Sequence, residues 1–194
     1  MQSIIDSIEI GYHFGLSAES IGPEAGILLG FSQSIGAALL ILSTDVGVSE
    51  AKAILEREHT ADSCREQFGC EPYQVASLAL QRLGFGPSVA SAAVMALGNT
   101  KLELFPADPT LRAWSAASEW INAFSRGARA PRRKSSLLLF PDLLRPENPD
   151  MPIPLHLEAL LEGINSVRTA HSTWTWHTSG TSSTTSQLAQ PSLQ

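Results

Sequence analysis

Up to about residue 126 the apolar residues return at steps of three and four, the period of amphipathic helices. Ile4, Ile5, Ile8 and Tyr12 mark one face of a first helix. Pro23 suits the first turn of a second. That second helix carries Leu28, Leu29, Ile35, Leu39 and Leu42 and is apolar nearly all round, as a central buried helix is. Its glycines let neighbouring backbones come close. Ser43-Thr44-Asp45-Val46-Gly47 reads as a turn, and Ser49 suits the N-cap of a third helix reaching Phe68, with Gly69 as its C-cap. That third helix is the most charged. Glu71-Pro72 opens a fourth over Tyr73–Leu83, and Gly84-Phe85-Gly86-Pro87 breaks it. A short fifth helix covers Ser88 to Leu97 and stops at Gly98-Asn99. Asp108-Pro109 starts a sixth, with Leu111, Trp114, Ala117, Ile121 and Phe124 at helical spacing. No two-residue alternation of strands is evident, so the expected fold is all-α, a compact bundle of about six helices.

Beyond residue 126 the texture changes. Six prolines fall between 131 and 154, which predicts an extended segment lying along the surface. Within it Leu137-Leu138-Leu139-Phe140 is apolar enough to dock on the core. Leu155 to Val167 reads as one further helix with Leu157, Leu160, Leu161 and Ile164 on a face. Residues 171–194 are rich in Ser, Thr and Gln and read as a disordered tail. The expected division is a helical domain over 1–126, a basic and Pro-rich connecting segment over 127–155, a C-terminal helix over 156–170 and the tail.

Composition narrows the function classes. A chain of 194 residues that is 43% hydrophobic has room for one sizeable packed domain. A net charge of −6 argues against general nucleic-acid binding, which needs a basic face. Cys64 and Cys70 form no disulfide framework and match no common metal spacing. Residues 25–44 approach a membrane span, but Gly26, Gly30, Gln33, Ser34 and Gly36 interrupt them. Met1-Gln2-Ser3-Ile4 lacks the basic start of a signal peptide. The expectation is a cytoplasmic protein with no membrane and no nucleic-acid partner.

Two stretches carry a resemblance. Leu28-Leu29-Gly30-Phe31-Ser32-Gln33-Ser34-Ile35-Gly36 is similar to the Leu-Leu-His-Asp-Ile-Gly segment of HD-type phosphohydrolases. Phe31 and Ser32 take the place of His-Asp if Gln33 is counted as an insertion. Glu66-Gln67-Phe68-Gly69-Cys70-Glu71-Pro72-Tyr73 and Leu83-Gly84-Phe85-Gly86-Pro87 look like the Gly step and the later turn of HD-related output (HDOD) domains. The match covers about residues 5–125, without the N-terminal helical half usual in that family, so the chain resembles a truncated version or shares only the layout. The resemblance implies a bacterial signalling module acting through protein contacts. It also implies that the HD ligands are replaced: Pro72 falls where a histidine often follows the Gly step, and Leu97-Gly98 where paired histidines fall. No cofactor or metal and no catalytic residue is then expected.

The residues themselves agree with that implication. A metal site needs several His, Asp or Glu side chains converging on one ion. His13, His59, His156, His171 and His177 show no pairing at three or four residues. No Gly-x-Ser-x-Gly elbow and no phosphate loop is present. His13, beside Tyr12, is the best single candidate, although a packed or surface histidine is the plainer reading. The basic cluster Arg126, Arg129, Arg132, Arg133 and Lys134 offers contacts for an anion, a nucleotide messenger or an acidic protein face; a solvated linker is the plainer reading. Arg132-Arg133-Lys134-Ser135 also has the form of a basophilic kinase site, a common pattern. Of Trp114 and Trp120, one is expected in the core and the other exposed; Trp174-Thr175-Trp176 stands out in the polar tail. Three readings remain: a non-catalytic regulatory module with a protein partner, expected to pair with a second copy as a homodimer; a divergent metal-dependent phosphohydrolase using His13, His59 and Glu66; and, with least support, a degenerate fragment of marginal stability.

Overall fold

The structure, a computed structural model, describes residues 2–43, 45, 47–55, 60–94, 108–143 and 154–170. Among them the secondary structure is all helical, in nine α-helices and no strand. In chain order they are α1 (Gln2–Ser17), α2 (Gly22–Ser43), α3 (Val48–Leu55), α4 (Thr60–Phe68), α5 (Pro72–Arg82), α6 (Pro87–Val94), α7 (Pro109–Ser125), α8 (Lys134–Leu139) and α9 (Leu155–Ala170). The span expected as one charged helix, 49–68, is described as two, with residues 56–59 outside the described set. The Gly98-Asn99 stop, Trp174, Trp176 and the expected tail also lie outside it.

α1 and α2 form an antiparallel hairpin seamed by small residues. A Cβ on Gly15 would fall on the carbonyl oxygen of Gly22, one on Gly11 on that of Gly26, and one on Gly30 on that of Ser7. Each pair steps back four residues along α1 as it steps forward four along α2, so one turn of each helix carries one contact. Small residues at this spacing let two backbones touch, and any side chain would hold them apart. The seam therefore decides which face of α1 is buried. Ile8, Ile10 and Phe14 are buried, whereas Ile4, Ile5 and Tyr12 are only half-buried, so the face read from Ile4, Ile5, Ile8 and Tyr12 is corrected to one centred on Ile10 and Phe14. Further along α2, Gly36 lies against the backbone of Pro72 on α5 in the same way.

α2, at 22 residues, is long and apolar enough to cross a bilayer by length and composition. The same description fits the central helix of a bundle, and Gly26, Leu29, Gly30, Ser32, Gly36 and Leu40 are buried in this fold.

One core joins α1, α2, α5, α6, α7, α9 and the segment around α8. Phe14, Leu29, Leu80, Trp120, Ile121, Phe124, Phe140, Leu157, Leu160, Ile164 and Val167 belong to a single packed cluster. Phe14 meets Phe140 edge to face with ring centroids 5.4 Å apart. The C-terminal helix α9 thus packs on α1 and shares the core of the N-terminal helices. The Pro-rich stretch was expected to be extended; Lys134–Leu139 is instead the short helix α8, followed by a 3-10 turn at Pro141–Leu143. Two contacts with α7 account for this. The Trp120 indole Nε1 donates to Ser136 O at 3.0 Å, and Glu119 accepts from the Ser136 hydroxyl while pairing with Arg133 at 3.0 Å. Docking was expected from Leu137-Leu138-Leu139-Phe140. Leu137 and Phe140 do pack on the core, but Leu138 and Leu139 are exposed, and Leu143 takes their place inside.

The helix signals read from sequence hold at several ends, but Ser49, expected as an N-cap, lies inside α3, which starts at Val48. Asp108 caps α7, its Oδ1 accepting from the Leu111 amide at 3.0 Å, as an N-cap carboxylate does. Gly69 and Gly84 take positive φ (71° and 97°) just past α4 and α5, where a left-handed residue closes a helix.

Candidate functional site

A cleft of about 540 Å³ opens at one end of the bundle between α1, α2, α7 and α9. Its lining is mainly polar: Asp6 and Ser7 from α1, Gln33 and Ser34 from α2, Asn122 and Ser125 from α7, then Arg126 and Gly127, and Arg168 from α9. Ile10 and Val167 also line it. Its size is within the ~300–1,000 Å³ of ordinary ligand sites.

The lining is pinned by hydrogen bonds reaching back into the bundle. The Gln33 Nε2 amide donates to Leu29 O at 3.2 Å and to Ser118 Oγ at 3.0 Å. The Ser118 hydroxyl in turn donates to Ala93 O at 2.6 Å, which ties α2 and α7 to α6. Ser7 and Ser34 hydroxyls lie 3.1 Å apart across the hairpin. Gln33 therefore has a fixed orientation, with its other end left over. Its Oε1 and the Ser125 Oγ are buried atoms with no hydrogen-bond partner among the described residues. A buried polar group without a partner costs about 1–3 kcal/mol, and Glu9 Oε2, on α1 away from the cleft, is another.

Gly127 shapes the rim. Its φ of 81° favours glycine, and a Cβ there would come within 2.7 Å of Arg168 Nη2. The bare backbone lets the Arg168 guanidinium lie over the turn after α7, with Nη2 3.5 Å from Gly127 O. Arg126, the C-cap of α7, is exposed at the same rim.

The residues singled out from sequence are dispersed. Within the basic cluster, Arg126 lines the cleft. Arg133 is half-buried and ion-paired to Glu119, so it serves as a staple between α7 and α8. Arg129, Arg132 and Lys134 are exposed. Ser135 of the kinase-like pattern is half-buried on α8. Phe31 is half-buried against the core, and Ser32 is fully buried, its hydroxyl 2.7 Å from Leu29 O and 3.1 Å from Ala93 O. Neither lines the cleft. Trp120 is the core tryptophan, and Trp114, expected to be exposed, is half-buried against the core cluster.

His13 sits at the α1–α9 contact. Its ring occupies the space a Cβ on Gly163 would need, its Nε2 is 3.8 Å from Glu9 Oε1, and Tyr12 meets it edge-on. Glu66 is exposed on α4, where Arg65 pairs with Asp62 and Glu71. His59 lies outside the described residues. Among the described residues no three His, Cys, Asp or Glu side chains gather as a metal site would require. Cys64 is buried; burial, then the Glu71 carboxylate and Cys70, push its thiol above the usual thiol range.

Sequence reasoning passed over Gln33, Ser125 and Arg168. One local signal was present for the first: between Ala25 and Leu42, Gln33 is the only polar side chain larger than serine. Comparison with models of known families, with curated proteins and with solved structures gives no match for this chain.

Proposed function

We propose that this chain is a non-catalytic regulatory module of bacterial signal transduction, resembling HDOD domains, which acts in the cytoplasm through a protein partner. The observation that carries the reading is the chemistry of the cleft lining. Amide, hydroxyl and guanidinium side chains with one carboxylate hold a ligand by hydrogen bonds and charge, and they are a poor set for a divalent metal, which prefers imidazole, thiolate or several carboxylates. In the HD-like segment Phe31 and Ser32, at the His-Asp place when Gln33 is counted as an insertion, bring no metal-ligand chemistry. Gly36 packs on Pro72, so the two stretches that carry the resemblance are neighbours in the fold.

A protein partner is supported by apolar side chains left on the surface. Leu42, Val48, Leu78 and Leu83 are each more than 60% exposed, on or beside α2, α3 and α5. Pairing of two copies through such a surface is part of the proposal. Elemental analysis after dialysis, with a phosphoesterase assay on the same sample, tests the non-catalytic reading. Absence of both stoichiometric metal and turnover is expected. A tightly held ion together with phosphoester hydrolysis would replace this reading with the divergent phosphohydrolase.

A further inference from the structure

We infer that Cys64 and Cys70 form a dithiol pair that low-molecular-weight disulfides oxidise to an intramolecular disulfide and small thiols reopen. This goes beyond the regulatory reading and does not depend on it.

The turn after α4 makes the pair. On a continuous helix, residues six apart lie about 9 Å from each other along the axis. α4 instead ends at Phe68, and Gly69 takes a φ of 71° while its amide donates to Arg65 O at 3.0 Å. Such a left-handed residue turns the chain back over the last turn of the helix. The return brings Glu71 Oε1 to 3.1 Å from Arg65 Nε. Cys64 directly precedes Arg65 and Cys70 directly precedes Glu71, so the two thiols flank that ion pair. Cys70 is near enough to help push the Cys64 thiol up, after burial and the Glu71 carboxylate. Both thiols are free, Cys64 buried and Cys70 half-buried.

Their unequal exposure sets the order of events. Cys64 is held protonated and out of reach, so it is a poor first nucleophile. Cys70 is partly open to solvent. Its thiolate attacks one sulfur of a small disulfide, an S–S bond forms to Cys70, and the departing small thiolate takes up the proton that Cys70 lost. The Cys64 thiolate then attacks Cys70 Sγ, and the second small thiolate leaves with the Cys64 proton. Two protein sulfurs are oxidised and one small disulfide is reduced to two thiols. A transient bridge of this kind is compatible with a reducing compartment. Closing it fixes the end of α4 to the start of α5, where Pro72 lies against Gly36 of α2.

The test is incubation of the full chain in glutathione buffers of graded oxidised-to-reduced ratio, followed by acid quench, alkylation, intact mass and peptide mapping. The expected product is a monomeric chain that has lost two hydrogens, with both cysteines protected from alkylation by one Cys64–Cys70 link that dithiothreitol reverses. Cys64→Ala, its folding checked by circular dichroism, is expected to stop with one glutathione on Cys70. Cys70→Ala is expected to leave Cys64 unmodified over the time in which the parent chain closes. Should a variant misfold, the parent chain alone still decides. Glutathione held on Cys70 of the parent without closure, a link between two chains, alkylation of both thiols at every ratio, or glutathione on Cys64 of Cys70→Ala at the parent's rate would overturn the proposal.

Discussion

The α1–α2 hairpin and the cleft at its end are built from the same two helices and obey opposite rules. Along the seam, Gly11, Gly15, Gly26 and Gly30 remove side chains so that backbone meets backbone. Beyond Gly30 and Ser7 the small-residue contact gives way to Gln33, Ser34 and Asp6, and there the packing leaves a void of about 540 Å³ and two buried polar atoms without partners. Natural folds satisfy almost all buried polar groups, so the Gln33 and Ser125 atoms are a cost that the packing at this end carries. The rigid seam holds the α1 and α2 walls of the cleft at a fixed separation.

Substitutions in the two regions are expected to differ in size and in sign. Gly26→Ala puts a methyl group on the Gly11 carbonyl and forces the helices apart, with an expected loss of about 3 kcal/mol in urea denaturation, the upper end for overpacking. A loss below about 1 kcal/mol would show that the hairpin flexes and that the seam is not rigid. Gly127→Ala is next. The left-handed φ and the crowding of Arg168 predict about 1–2 kcal/mol. Gln33→Met, in the cleft, trades two hydrogen bonds against the removal of a buried acceptor without a donor. It is expected to stay within about 1 kcal/mol of the parent chain by the same measurement. The smallest effect concerns pH. Because the Cys64 thiol is raised in the folded chain, the unfolded chain loses its proton first as pH climbs above about 8.5, and stability falls from there upward. Melting temperatures at pH 7 and pH 10 should therefore diverge more for the parent chain than for Cys64→Ala.

Much of the fold was legible in local pattern. Asp108 and Gly69 signal helix ends through groups that act within four residues, and the structure shows both in that role. The face of α1 was misread because the seam fixes it from outside, through glycines whose partners lie on α2; Phe14 is buried because Gly11 and Gly15 face inward beside it. α8 was misread because proline density describes the chain near it, whereas the contacts of Ser136 with Trp120 and Glu119 come from a different helix. The charge run from Arg126 to Lys134 looked like one feature, but Arg133 turns inward to Glu119 and Arg126 outward to the cleft. The cleft itself has no sequence pattern of its own. It joins Asp6, Gln33, Ser125 and Arg168, residues that only tertiary packing brings together.

Ser125→Ala is the most direct test of the claim that the cleft holds polar atoms the fold does not need. It removes a buried hydroxyl without a partner and leaves the helix otherwise intact. Equilibrium urea denaturation of this variant beside the parent chain should show no loss, or a gain of up to about 1 kcal/mol, with the slope unchanged. A loss of about 1 kcal/mol or more would mean that the hydroxyl is part of the fold's own bonding, and would contradict the account.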